Sequence, residues 1–191
     1  MLRRCNSGSG LRTALGLLAV ASVYGFLLWA GWRRSADPLV DFGREAYTAW
    51  RLSAGDLLYR DLSSLFGPLA SYADAAGMAV FGSSLGVLFA INAALIAVAT
   101  VLIYLFVARV ARRPTAVLAS TVFLGVFAFA HAGAPNFNFL APYSRAAVWG
   151  VMAAVAAVVC FDRWLTRAPR GERPAIWLFS AGVCAGLTLL T

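Results

Sequence analysis

Six of the eight acidic residues, Asp37, Asp41, Glu45, Asp56, Asp61 and Asp74, lie between positions 37 and 74, a stretch that also holds Arg44, Arg51 and Arg60. Such a mixed-charge segment in an apolar chain is where chemistry is expected. Asp41 and Glu45 are four residues apart, one helical turn, and two carboxylates that close raise one another's pKa, as suits a base working near neutral pH. The same spacing also has a structural use: Asp41 caps a helix and Glu45 favours its positive N-terminal end. Arg60 and Asp61 read either as a local ion pair, worth about 0–1 kcal/mol if exposed, or as part of a polar pocket. A second segment, from His131 to Arg145, alternates Asn136 and Asn138 with Phe137 and Phe139 and continues as Pro142-Tyr143-Ser144-Arg145. Two amides, a phenol and an arginine suit a sugar and a phosphate, since Arg binds phosphate oxygens in pairs. The alternative is a rigid loop with an aromatic belt. His131, the single histidine, reads as an interfacial residue at a span end. The sequence contains no GxxxxGK[ST], HExxH, CxxC or GxSxG pattern.

The elements that must position these groups follow from composition. Of 191 residues, 61% are hydrophobic and 13% charged, about half the charged fraction of a soluble domain, and the mean hydropathy is +0.77. This is an all-α membrane protein by composition. A membrane helix needs about 20 apolar residues to cross about 30 Å of hydrocarbon. The charge-free runs give five spans at about 12–32, 84–108, 114–131, 145–165 and 175–191, in a single membrane domain. An outer loop of 33–83 carries interfacial helices and a second outer loop covers 132–144. In the first loop, residues 42–54 form an amphipathic helix with Tyr47, Trp50 and Ala54 on one side, lying aromatic face down on the bilayer, and Arg44, Thr48 and Arg51 on another. A further short interfacial or re-entrant segment occupies about 68–82. Residues 13–32 read as an uncleaved span and not as a signal peptide, because Trp29, Trp32, Arg33 and Arg34 stand where small residues would prepare a cleavage site. Gly82/Gly86 and Gly182/Gly186 match GxxxG and predict close helix packing. Cys5, Cys160 and Cys184 have no paired spacing and read as packing residues.

Every basic residue is arginine, and the net charge is +8. A basic excess of this size first suggests nucleic acid, but its placement says otherwise. With the N-terminus in the cytoplasm, the inner segments hold Arg3, Arg4, Arg12, Arg109, Arg112, Arg113, Arg163, Arg167, Arg170 and Arg173 against Asp162 and Glu172. Outside, six arginines balance six acids, although Arg33 and Arg34 directly after the first span run against the trend. The excess is a topology signal of the positive-inside kind, and no nucleic-acid partner is expected. The chain stops at Thr191 inside an apolar run, which reads as the truncation of a longer multi-spanning protein.

Asp41-Phe-Gly-Arg-Glu45, Gly55-Asp-Leu-Leu-Tyr-Arg-Asp61, Gly67-Pro-Leu69 and Asn136-Phe-Asn-Phe-Leu-Ala-Pro-Tyr143 resemble bacterial membrane glycosyltransferases of the GT-C superfamily. The nearest branch is the family 39 type, related to protein O-mannosyltransferases and aminoarabinose transferases. The resemblance covers about residues 10–191 and implies a truncated GT-C-like transmembrane domain, since family members have more spans than five. It implies inverting transfer from a polyprenyl-phosphate sugar to an acceptor on the outer face of the cytoplasmic membrane, with the acidic residue after the first span as base. By motif position that residue is Asp41. The family's paired acidic dipeptide is here Asp41-Phe42, with Glu45 a turn later, so Asp41, Glu45 or both fill the role. Arg44, Arg51 or Arg145 would offset the phosphate charge, with Asp61, Asn136, Asn138 and Tyr143 as further substrate contacts. No cofactor or metal ligand set is predicted, and a divalent ion is left open. The competing readings are a transporter or flippase for a lipid-linked substrate, disfavoured because ionisable residues are nearly absent from the spans, and an inactive membrane fragment.

Overall fold

In the computed structural model the described residues are 7–32, 34, 41–130, 138–167 and 175–191, with the side chains of residues 7–9 and 41 outside that set. The described chain is helical apart from its connections, and its one β-bridge joins Leu58 to Leu62. Seven α-helices follow in order: α1 (Ser7–Gly31), α2 (Asp41–Ser53), α3 (Pro68–Phe81), α4 (Leu85–Val110), α5 (Arg113–Val122), α6 (Arg145–Arg167) and α7 (Ala175–Leu189). A π-helical turn, Phe123–Ala128, prolongs α5.

Local chemistry sets most helix ends. Pro68 occupies the first turn of α3, where a missing N–H is harmless. The helix stops at Gly82, whose φ of 92° suits glycine alone and whose N–H donates to the Met78 carbonyl at 2.9 Å. Ser84 caps α4 by accepting from the Val87 N–H. Pro114 stands in the first turn of α5, at the start of the segment expected as a span from about 114.

Three helices are long and apolar enough to cross a membrane: Gly10–Gly31, Leu85–Val110 and Arg145–Arg167. The other two expected spans appear as shorter apolar helices, Arg113–Ala128 and Ala175–Leu189. At 15 residues, α7 rises about 22 Å, short of the about 30 Å hydrocarbon layer. The turn at Phe123–Ala128 is an i+5 closure, with the Phe129 N–H reaching the Leu124 carbonyl at 2.9 Å, and it ends the helix at the segment expected to carry it to residue 131.

The helices pack as α1 on α5, α5 on α4, α4 on α6 and α6 on α7, while α2 lies on α3, which contacts α4 and α6. The core contains Phe42, Leu88, Phe89, Ile96, Tyr104 and Leu124. Phe42 of α2 stacks at a tilt against Phe89 of α4, 5.4 Å between centroids, and the Tyr24 hydroxyl of α1 donates to the Ala93 carbonyl at 2.9 Å. These contacts tie the first loop and the first helix to the same central helix. Close approach occurs at Gly16, where a Cβ would overlap the Tyr104 hydroxyl, at Gly77 against Ile91, and at Gly67 and Gly150. The GxxxG expectation fails. Gly82 is a helix terminator, and Gly182 and Gly186 face open space. Spacing alone does not say which side of a helix meets a neighbour.

The two ends of the bundle differ in charge. At one end Arg109 of α4 pairs with Asp162 of α6, and the Arg113 Nε donates to the Thr13 hydroxyl at 3.0 Å. At the other end lie α2, α3 and residues 138–145.

Candidate functional site

Helix α2 forms where the sequence places it, and its two faces explain the site. Phe42, Ala46, Ala49 and Leu52 recur at helical spacing and are buried, so small side chains let α2 settle closely on α3. Tyr47 and Trp50 point away from the protein, about half exposed and 5.9 Å apart. Ala54 falls beyond the helix end. Glu45 lies on the border between the packed and the open face. Its side chain is 10% exposed against 50% for the neighbouring Arg44, whose Nη2 donates to Glu45 Oε1 at 3.2 Å.

A cavity of about 240 Å³ opens at this border. Arg44, Glu45 and Thr48 line it from α2, Ser63 to Phe66 from the connecting segment, and Ser71 from α3. The connecting segment is held by its own hydrogen bonds. Gly55, at φ 106°, turns the chain out of α2. Tyr59 has φ 67°, an unusual backbone for a residue with a side chain, and is fixed by its N–H to the Leu62 carbonyl (2.8 Å) and its hydroxyl to the Phe66 carbonyl (2.6 Å). The Ser64 hydroxyl closes a turn with Phe66, and the Arg44 guanidinium lies 5.7 Å over the Phe66 ring. Arginine, hydroxyls and an aromatic face therefore surround one carboxylate. Burial pushes the Glu45 carboxyl above the usual carboxylate range, against the pull of Arg44 and, further off, Arg145; Asp74 adds to the rise.

Behind the cavity is a pair that the sequence reading only half identifies. Arg145, the first residue of α6, has a side chain with no exposure, and Asp74 of α3 has 2%. The guanidinium donates through Nε and Nη2 to both carboxylate oxygens of Asp74, the fork geometry that favours Arg over Lys. Its Nη1 has no partner among the described residues. Burial pushes the Asp74 carboxyl up, opposed by Arg145. The Trp149 indole, one turn after Arg145, is close enough to favour the charged form of Asp74 but makes no regular hydrogen bond. Asp74 is named from sequence only as one of the six clustered acids and is given no role there. The available signal is that Asp74 and Arg145 each bound a charge-free run, two lone opposite charges in apolar surroundings.

The remaining expected site residues separate. Asp41 begins α2, one turn before Glu45, with its side chain outside the described residues; Asn136 and His131 lie outside them altogether. Asn138 is buried and accepts from the Ala141 N–H at 2.7 Å, holding the bend that brings the Leu140 carbonyl to the Asn92 amide of α4 at 3.0 Å. Tyr143 is 45% exposed. Arg51 pairs with Asp56 and with the Tyr47 hydroxyl (2.6 Å). Asp61 pairs with Arg60 at 2.8 Å and accepts from the Leu57 N–H at 2.9 Å; these contacts hold its carboxyl below the usual range. Neither Arg51 nor Asp61 lines the cavity at Glu45. No family model, curated protein or solved structure matches the chain. Among the described residues no three His, Cys, Asp or Glu side chains converge as a metal site would require.

Proposed function

We propose that the protein is a GT-C-type membrane glycosyltransferase that moves a sugar from a polyprenyl-phosphate donor to an acceptor at the outer face of the cytoplasmic membrane. The observation that carries the reading is Glu45, a carboxylate raised in pKa by burial, in a cavity edged by arginine and hydroxyl groups. It belongs to the first of the stretches that resemble the family, Asp41 to Glu45. On this reading α5 with its π turn and α7 complete five membrane passes, the N-terminus is cytoplasmic, and the cavity opens outward.

The chemistry requires a base and a positive charge and fits these groups. The acceptor hydroxyl attacks the anomeric carbon, the bond from that carbon to the phosphate oxygen breaks, and the sugar passes through an oxocarbenium-like state. The carboxylate of Glu45, or of Asp41 one turn away, takes the hydroxyl proton. A base whose pKa lies closer to neutral accepts that proton more readily in the transition state. The leaving polyprenyl phosphate carries the bond electrons, and Arg44 offers its charge to the phosphate oxygens. Thr48, Ser63, Ser64 and Ser71 offer hydroxyls to a sugar. Arg145, spent on Asp74, acts as a positioning residue for the wall of the cavity.

The test is transfer from labelled polyprenyl-phosphate sugars by membranes containing the protein, with Glu45→Gln and Asp41→Asn compared at equal expression and membrane insertion. The expected result is loss of transfer in at least one of the two. Near-normal transfer by both variants would remove the first-loop carboxylates from the reaction.

A further inference from the structure

At the arginine-rich end of the bundle a cavity of about 610 Å³ opens between the start of α1, the end of α4 and the start of α5. This is within the about 300–1,000 Å³ typical of small-molecule sites. Its rim carries Arg12, Arg112 and Arg113, and its walls include Leu15, Ala108 and Val117. Among the described residues no acidic side chain lines it. The guanidiniums of Arg12 and Arg112 meet no ion-pair or hydrogen-bond partner among the described residues, and that of Arg113 is engaged only through Nε with the Thr13 hydroxyl. Arg44, Arg51, Arg60, Arg109 and Arg145 each have a carboxylate, whereas Arg34, Arg163 and Arg167, like the three arginines here, have none among the described residues. Three guanidiniums with no counter-ion among the described residues repel one another, and an anion between them relieves that repulsion. The first turn of α5 opens on the same cavity with no side-chain cap at Arg112; Pro114 has no N–H and the Ala116 N–H donates to the Arg112 carbonyl at 3.2 Å, so of this turn the Arg113 and Thr115 N–H groups add to the attraction.

We propose that this cavity binds the phosphate of an anionic phospholipid. The apolar walls decide between a lipid and a free phosphate. Leu15 and Leu118, on the helices that flank the arginines, are 56% and 64% exposed, and both belong to apolar helices that run along the bilayer. A phosphate held by Arg12, Arg112 and Arg113 therefore leaves its acyl chains against α1 and α5, where these side chains need cover. Basic pockets between membrane helices are established as lipid headgroup sites. The site lies at the opposite end of the bundle from the cavity at Glu45 and does not depend on the proposed activity.

The experiment is native mass spectrometry of the purified protein in detergent with equimolar phosphatidylglycerol and phosphatidylcholine. Phosphatidylglycerol is expected to remain bound in preference, and each arginine lost is expected to weaken it about fivefold, so that Arg12→Gln/Arg112→Gln loses about 25-fold. Both side chains are exposed, and an unchanged melting temperature of lipid-free protein establishes that the variant is folded. Arg167→Gln is the control, since Arg167 lies over the Trp177 ring at 5.4 Å and outside the cavity; it is expected to bind as the parent does. Equal retention of the two lipids, or equal loss in Arg167→Gln, overturns the site in favour of unspecific charge attraction. Displacement of phosphatidylglycerol by millimolar inorganic phosphate overturns the lipid assignment and leaves a free-phosphate site.

Discussion

The Asp74–Arg145 pair gives the most demanding prediction, because its two halves are expected to fail differently. Both side chains are out of water, at 2% and 0% exposure. Replacing Asp74 by Asn leaves a guanidinium that cannot lose its proton at any accessible pH, so the full cost of an unpaired buried charge applies, about 3–5 kcal/mol. Replacing Arg145 by Met leaves a carboxyl that burial already pushes up and that can become neutral by binding a proton. That variant is expected to lose less, and its loss is expected to shrink as the pH falls. The sign follows from linkage: with Arg145 gone the folded pKa of Asp74 rises further above its unfolded value, so stability is retained at low pH and lost as pH rises through the folded pKa. Asp74→Leu/Arg145→Met, with both charges removed, should recover most of the stability, as apolar replacements of buried pairs commonly do. Loss of helical circular dichroism on heating the detergent-solubilised protein, from pH 5 to 8, measures all four chains. A cost below about 1 kcal/mol for Asp74→Asn, or identical pH profiles for the two single variants, would show that water reaches the pair and refute the reasoning.

Further predictions concern the cavity, the packing and the topology. Glu45→Gln should melt higher than the parent at neutral pH, because the buried carboxylate of the parent loses stability as pH rises through its raised pKa; sugar transfer by the parent should climb through that same pKa, and a parent and variant that melt alike across pH 4–8 would contradict this. Gly16→Ala sets a methyl group against the Tyr104 hydroxyl, which donates to the Thr13 carbonyl at 3.2 Å, and should cost about 1–3 kcal/mol, with partial recovery in Gly16→Ala/Tyr104→Phe by thermal unfolding. In a protein freed of its three cysteines, Ser63→Cys should react with a membrane-impermeant maleimide on intact cells, and Thr115→Cys only after permeabilisation. The reverse pattern would invert the proposed orientation.

How far the sequence reached depended on whether one residue or a pair of distant ones carried the information. Helix α2, the proline-led starts of α3 and α5 and the long apolar helices α1, α4 and α6 were legible because periodicity, caps and hydropathy act within one segment. The side of α2 that packs was not. Tyr47 and Trp50 are its most conspicuous apolar residues, yet Phe42 with the small residues Ala46 and Ala49 makes the close contact. Likewise Arg51 and Asp61 look as suited to a substrate as Arg44 does, but local partners at Asp56, Arg60 and Leu57 engage them first.

The sequence by itself determined that this chain is a helical protein made for lipid, that its unbalanced arginines fall at 3–12, 109–113 and 163–173 while the other segments balance, and that its acidic residues gather after the first span. These follow from composition and order along the chain. Tertiary structure alone decided which distant charges meet. Asp74 and Arg145 are 71 residues apart, and only the docking of α3 on α6 removes both from water and gives each the other as its sole strong partner. The same docking, with α2 laid on α3, sets Glu45 at the edge of a cavity and raises its pKa, because desolvation depends on what covers a carboxylate and not on its neighbours in sequence.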